Sequence, residues 1–193
     1  VALGFQAVKA NTTGERNTGL GYSALRANTT GNKNTAVGMY SLLSSTTGSF
    51  NTALGDGALQ ANTTAPENVA IGYQAMYENT IGTLNTAVGT YSSYANSTGS
   101  YNSSLGRAAL YFNTTGSYNT AVGYQALQTN TTGTTSTAVG YQAGYYNATA
   151  TGLDVFGYQA GFYVTASYNT FFGTNAGRGV LNNSTGEYNV GIG

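Results

Sequence analysis

A glycine recurs every 17 residues along almost the whole chain, and this period decides what the chain can fold into. The interval is 17 from Gly4 to Gly157, then 16 and finally 20. The twelve glycines are Gly4, Gly21, Gly38, Gly55, Gly72, Gly89, Gly106, Gly123, Gly140, Gly157, Gly173 and Gly193. A unit of 17 residues cannot bury a core alone, so it must stack on copies of itself. The 193 residues therefore predict about eleven coils of one solenoid.

Each position of the repeat has its own character when this glycine is numbered position 5. Positions 1 to 4 carry Asn, Thr and aliphatic residues, which favour a short strand. The glycine suits a corner with positive φ, and Asn-Thr-Thr-Gly at positions 12 to 15 predicts a turn. Positions 6 to 11 are compatible with a second strand or with one helical turn, and the sequence does not decide between them. The predicted fold is all-β, a parallel β-solenoid (β-roll) of 17-residue coils.

Two apolar columns, meaning residues at one position in successive coils, are predicted to fill the interior. Position 4 is always apolar and position 9 is mostly Leu. The predicted core residues are Leu20, Val37, Leu54, Ile71, Val88, Leu105, Val122 and Val139 at position 4, and Leu25, Leu42, Leu59, Leu110 and Leu127 at position 9. Neighbouring strand residues point to opposite faces, so Ala at position 3 predicts a second covered face. We therefore expect a homo-oligomer.

The repeat is regular over residues 1–152 and irregular over residues 153–193. Gly144, Gly161 and Gly177 replace Leu at position 9, and aromatic residues such as Tyr145 and Phe171 stand near them. This pattern predicts that the interior changes from aliphatic to aromatic filling. Neither end carries the polar cap that free solenoids need, so residues 1–193 are expected to be one array within a longer protein.

Composition excludes most chemistry. The chain has no His and no Cys, and its six basic and six acidic residues cancel. Without His or Cys, the usual zinc, haem and iron–sulfur ligands and the Ser-His-Asp and Cys-His mechanisms are absent. Nucleic-acid binding needs a basic surface, and no apolar run approaches the ~20 residues of a membrane span. We expect no enzyme, no cofactor, no metal, no nucleic-acid partner and no membrane insertion in this segment.

The consensus Asn-Thr-Ala-Val-Gly-Tyr-Gln-Ala-Leu, clearest over residues 102–128, resembles repeats of phage tail fibres and related surface proteins. Asn68-Val69-Ala70-Ile71-Gly72 is similar to the head repeats of trimeric autotransporter adhesins. The resemblance implies a left-handed β-roll assembled as a homotrimer, located outside the cell, on the cell surface or on a virion. It implies a structural shaft or head segment of a fibre. Whether such rods also join end to end stays open.

Asn-x-Ser/Thr sequons recur at position 12 and form a possible column of glycan attachment sites. The alternative is a repeated turn that happens to contain Thr. The column comprises Asn11, Asn28, Asn62, Asn96, Asn113, Asn130 and Asn147; Asn102, Asn182 and Asn183 add further sequons.

Three further columns suggest binding surfaces. Tyr at position 6 beside Gln at position 7 predicts a strip for host-surface glycans, and the alternative is a ladder that only stabilises the stack. The strip comprises Tyr124, Tyr141, Tyr158, Gln125, Gln142 and Gln159. Thr columns at positions 2, 13 and 14 leave ice binding as a further alternative. Four of the six cations, Lys9, Arg16, Arg26 and Lys33, form either a small basic patch or a solvated end.

Overall fold

The structure, a computed structural model, describes residues 1–179 and 186–193 and is a parallel β-solenoid of about eleven coils. Twelve strands form one sheet in chain order, and each strand pairs in parallel with the next. Thr120, Ala121 and Val122, for example, lie opposite the residues 17 positions later. The predicted fold class and coil length are confirmed.

Each coil contributes one strand, at positions 2 to 4. The strands are β1 (Ala2–Leu3), β2 (Thr18–Leu20), β3 (Thr35–Val37), β4 (Thr52–Leu54), β5 (Val69–Ile71), β6 (Thr86–Val88), β7 (Ser103–Leu105), β8 (Thr120–Val122), β9 (Thr137–Val139), β10 (Asp154–Phe156), β11 (Thr170–Phe172) and β12 (Val190–Ile192). Twelve strands at ~4.8 Å spacing make a sheet roughly 50 Å long.

Positions 6 to 11 are neither a strand nor a helical turn. They form a tight turn in which positions 7 and 9 are left-handed, and position 17 is left-handed as well; the non-glycine residues there have φ between 49° and 61°. The turn hydrogen-bonds to both neighbouring coils: Gln125 donates its N–H to Arg107 O at 3.0 Å, and Leu127 donates to Ala143 O at 3.0 Å. Such conformations cost ~1–2 kcal/mol for a residue with a Cβ, so these hydrogen bonds must hold them in place.

The corner glycines at position 5 are required both by conformation and by space. All those before Gly193 have φ between 124° and 140°. A Cβ on Gly89 would lie 2.6 Å from the carbonyl oxygen of Gly106 in the next coil. No other residue type fits this corner while the coils keep their spacing.

Leu at position 9 fills the interior, as predicted. Leu25, Leu42, Leu59, Leu110 and Leu127 have no exposed surface. Small residues at positions 3 and 8 surround them; Ala53 and Ala58 are examples, and both are fully buried.

The prediction that position 4 also lies inside is wrong. Position 3 points into the coil, and position 4 points out: Leu54 is 46% exposed, Leu105 is 51% exposed. The other predicted core residues of this column are half-buried on the outer face: Leu20, Val37, Ile71, Val88, Val122 and Val139. The narrow interior already holds Leu at position 9 and two buried Asn side chains, so only a small residue, usually Ala, fits at the inward strand position.

In the irregular part, the large apolar side chains of the interior stand at positions 1 and 3 instead of position 9. A Cβ on Gly144 would lie 2.9 Å from Leu127 Cδ2 and 3.4 Å from Leu153 Cδ2, and one on Gly161 would lie 2.6 Å from Val155 Cγ1. Leu153 and Val155 are both fully buried. The interior is therefore still largely aliphatic, and the predicted change to aromatic filling is correct only near β11, where Phe171 packs against the core.

Three serines divide the apolar core into two clusters. One cluster runs from Ala24 to Ala87 and the other from Ala109 to Val164. Between them, Ser92 and Ser93 each lie within hydrogen-bonding distance of Ser104 Oγ, at 2.7 and 2.8 Å. These serines replace the usual Ala and Leu at positions 8, 9 and 3.

Candidate functional site

Two columns of asparagine amides run through the interior, at positions 1 and 12. At position 1 each side chain accepts a hydrogen bond from the backbone of the next coil and donates one within its own coil. Asn34 N–H donates to Asn17 Oδ1 at 2.9 Å, while Asn34 Nδ2 donates to Gly48 O at 2.8 Å. The same pattern links Asn51, Asn68, Asn85, Asn102 and Asn119. The column therefore ties each coil to the previous one and closes each coil on itself.

At position 12 the amides bond directly to one another. Asn28 Nδ2 donates to Asn11 Oδ1 at 2.6 Å and to Gly31 O at 3.1 Å. Asn96 Nδ2 donates in the same way to Asn79 Oδ1 at 2.8 Å.

This geometry overturns the proposed glycan column. Asn28, Asn62, Asn96, Asn113, Asn130 and Asn147 are at most 1% exposed, and Asn102 at position 1 is 2% exposed. Their Nδ2 atoms, which would carry the glycan, donate hydrogen bonds inside the coil. Asn11, in the first coil, is half-buried and donates to Gly14 O. Asn182 and Asn183 lie outside the described residues.

Ser45 interrupts the position-12 column. Its shorter side chain does not reach Asn28, and Asn28 Oδ1 and Ser45 Oγ are both buried without a hydrogen-bond partner. In the following coil, Asn62 Oδ1 accepts from Asn79 Nδ2, but Asn62 Nδ2 donates only to Ala65 O and has no partner in the coil of Ser45. The stack therefore carries a local defect between residues 28 and 62.

The predicted Tyr/Gln strip is assembled on the outer surface. The Tyr124, Tyr141 and Tyr158 rings stack with centroids 5.2 Å apart and planes within 11°. The Gln amides beside them form a second ladder: Gln142 Nε2 donates to Gln125 Oε1, and Gln159 Nε2 donates to Gln142 Oε1, each at 2.8 Å.

The faces of these tyrosine rings are largely occupied. Each ring lies against the next, and Arg107 covers the first, with its guanidinium 5.6 Å from the Tyr124 centroid. Arg107 also donates to the Tyr124 hydroxyl at 3.2 Å. Sugar rings usually stack on open aromatic faces, and this strip offers edges and hydroxyls instead. Its geometry matches the stabilising ladder better than a glycan site.

Further aromatic columns were not predicted from the sequence. The Tyr77, Tyr94 and Tyr111 rings stack at 5.3 and 5.1 Å, and Tyr101 stacks on Tyr118 at 4.9 Å. Other stacks pair Tyr145 with Phe162, Tyr146 with Tyr163, Phe156 with Phe172 and Tyr168 with Tyr188. The sequence does contain a signal for these aromatic columns, because most of the stacked partners are separated by 17 residues, the length of one repeat.

Packing within these columns raises the pKa of some hydroxyls. Burial is the main cause for Tyr94, with the nearby Glu78 carboxylate adding to it. Burial also raises the pKa of Tyr145. A higher pKa keeps a phenol neutral, so these hydroxyls are neither nucleophiles nor bases near neutral pH.

The predicted threonine columns differ in how free their hydroxyls are. At position 13 each hydroxyl, from Thr12 to Thr131, donates to the backbone carbonyl of the same position in the next coil, at 2.8 to 3.2 Å. At position 14 the threonines, such as Thr64 and Thr115, are exposed. Position 2 lies on the outer face of the sheet, where Thr35 and Thr86 are exposed and Thr52 is half-buried.

Charged groups form no catalytic or metal-binding cluster in the described ranges. No group of three or more potential metal-ligating side chains occurs among residues 1–179 and 186–193. Of the four N-terminal cations, Arg16 and Lys33 line one open pocket, and Lys9 and Arg26 line another. Lys33 Nζ is 4.7 Å from the Phe50 centroid, and Arg26 donates to Gln6 at 3.4 Å. Among the residues that the structure describes, no helix is long and apolar enough to cross a membrane.

Comparisons with known proteins leave the geometry as the only guide. No protein-family model, curated protein or solved structure matches this chain significantly.

Proposed function

We propose that this chain is a structural segment, the shaft or head of an extracellular fibre on a cell surface or virion. The observation that carries the proposal is the continuity of hydrogen bonding between coils. In the coil of residues 119–135, Thr120 N–H donates to Ser136 O at 2.8 Å, and Leu127 donates to Ala143 O at 3.0 Å. Equivalent bonds recur from coil to coil along the described chain.

The polar side chains support the same role. The position-12 asparagines, the position-13 threonines and the Gln ladder donate to neighbouring coils, and the position-1 asparagine side chains accept from them. An enzyme binds its substrate with polar side chains, whereas in this protein the polar side chains hydrogen-bond one coil to the next. A role without enzymatic activity, cofactor or nucleic-acid partner follows as part of the proposal.

The resemblance to trimeric fibre repeats supports an assembly of several such rods. The sheet turns an apolar column outward at position 4, which suits contact with another chain better than exposure to water. A homotrimer outside the cell is the assembly that we propose. The alternatives are less well supported, since ring faces are covered in the Tyr strip and position-13 hydroxyls are already bonded.

Limited proteolysis tests the structural role. Trypsin must open several residues into an extended segment, and Arg107 lies in the middle of the stack. We expect native protein to resist cleavage at Lys33 and Arg107 under conditions that cut the urea-unfolded chain completely. Gly89→Ala is the positive control, because its methyl group would meet Gly106 O and separate the coils. Rapid cleavage of the native chain at Arg107 would contradict the proposal.

A further inference from the structure

The exposed apolar side chains are concentrated on one side of the rod. In the described part of the chain, all exposed large hydrophobic residues except Ile81, Phe112 and Tyr146 occupy positions 17, 2, 4 and 6. We call this surface the apolar face. Its exposed apolar and aromatic side chains stand mainly at positions 17, 4 and 6, and position 2 between them is mostly Thr.

The apolar face is almost uncharged over its middle. Between residues 68 and 153, the sole charged residue at these four positions is Arg107, whose guanidinium lies over Tyr124. Exposed members along this stretch include Tyr73 (44%), Leu105 (51%) and Tyr118 (59%). The opposite side is polar: position 13, 14 and 16 residues there are mostly Thr, Ser and Asn.

The dimensions of this face suit a protein interface. From position 17 to position 6 the face spans six residue spacings of ~3.3 Å, so over a length of roughly 50 Å it covers about 1,000 Å². A stable interface buries about 800 Å² per partner, so the face is large enough for one.

We infer that the apolar face is the docking site for a second copy of this chain, side by side. The spacing of the coils identifies the partner. Apolar side chains on the face repeat at every coil, ~4.8 Å apart, over the whole length of the rod. A partner keeps contact along all of it only if its own side chains repeat at that spacing, and another copy does so. The face carries no net charge, so it does not need a partner of opposite charge; its three basic and three acidic residues are Arg16, Lys33, Arg107, Asp56, Glu67 and Asp154. The inference rests on the proposed structural role, for which it names the contact surface.

A matched pair of double variants tests the inference. Leu54→Glu with Leu105→Glu places two carboxylates on the apolar face. Thr64→Glu with Thr115→Glu places the same charges on the polar side of the same two coils, where both threonines are exposed. The molar mass of each protein is measured by light scattering, and circular dichroism reports whether it remains folded.

We expect the wild type and the threonine variant to have a mass of two or more chains. The leucine variant should fall to one chain at the same concentration, with an unchanged circular dichroism spectrum. Leu54→Gln with Leu105→Gln, which adds no charge, repeats the test if the glutamates disturb folding, and should also lower the mass.

A wild type that is monomeric, or a folded leucine variant that keeps its multiple mass, would overturn the inference. The proposed structural role has a separate readout. A monomer that still resists trypsin at Arg107 refutes the docking face and the proposed homotrimer but not the structural role of the rod, whereas a chain that trypsin cuts quickly there refutes the structural role.

Discussion

Asparagine is an interior residue in this protein, and that role explains its abundance. A buried amide is stable only when its donors and acceptors are paired. Here the stack supplies partners at a fixed spacing: Asn113 Nδ2, for example, donates to Asn96 Oδ1 and Gly116 O. The same amide in an isolated coil would lack the Asn96 partner. The Asn column therefore makes each coil dependent on its neighbour.

The defect at Ser45 gives a prediction for a single residue. Ser45→Asn should restore the column, because its Nδ2 would donate to Asn28 Oδ1 and Gly48 O and its Oδ1 would accept from Asn62. We expect the free energy of unfolding to rise by about 1 kcal/mol, the net contribution of a hydrogen bond in a folded protein. Urea denaturation measures the change.

Ser45→Ala is the matched control, since alanine supplies no amide and leaves Asn28 Oδ1 unpaired. Because it also removes the buried, unpaired Ser45 hydroxyl, any gain in stability should be smaller than that of Ser45→Asn. An Asn variant that is less stable than wild type would show that the coil at residues 34–50 has no room for the amide, contrary to this account.

Residue types predicted the corners and the Leu column but not the left-handed turn. Gly at position 5 adopts the positive φ of the corner, and Leu at position 9 supplies the apolar side chain that fills the interior. Nothing in Gln125 or Leu127 favours positive φ. Their conformation is imposed by hydrogen bonds to the coils on either side. Sequence propensities describe a local segment, so they missed a conformation that only the stack stabilises.

At the scale of one coil, the interior has a fixed volume that the repeat fills in two ways. Regular coils use Leu at position 9 and Ala at position 3, whereas the irregular coils pair Gly161 with Val155. Alternation along the strand showed that positions 3 and 4 face opposite ways, but not which of them points inward. The sequence does indicate the inward position, because a larger residue, Val155, stands at position 3 in the coil where position 9 is Gly161. Residues compensate in size in this way only when their side chains fill the same space.

The serine cluster predicts where the stack is weakest. Amide exchange should be fastest in the coil of residues 85–101, compared with other interior coils. Ser92→Ala, Ser93→Leu and Ser104→Ala together restore the usual residues and join the two apolar clusters. We expect the triple variant to raise the free energy of unfolding by about 2 kcal/mol, the gain from burying a leucine side chain. Chemical denaturation provides the measurement.

The control is Ser93→Ala alone, which removes one hydroxyl without filling the space and should not stabilise the chain. A triple variant less stable than wild type would mean that the hydrogen bonds to Ser104 contribute more than apolar packing does in this coil.

At the scale of the whole molecule, each coil contacts only its neighbours. Stability in such an array is approximately a sum over coils and the interfaces between them. All of the structural columns, apolar, amide and aromatic, follow from one spacing of 17 residues. The overall architecture was predictable from the sequence for that reason. Which strand positions point inward and which point outward was not predicted, because it depends on how side chains pack inside the coil.

The most direct measurement is thermal unfolding of two deletion variants. Removing residues 119–135 takes out one complete coil, so Tyr118 is followed by Ser136 and Asn102 Oδ1 can accept from Ser136 N–H, as it now does from Asn119. Removing residues 119–127 takes out half a coil and shifts every later position out of its column. The account predicts a single cooperative transition, only slightly less stable than wild type, for the first, and loss of that transition for the second. Equal behaviour of the two variants would contradict it.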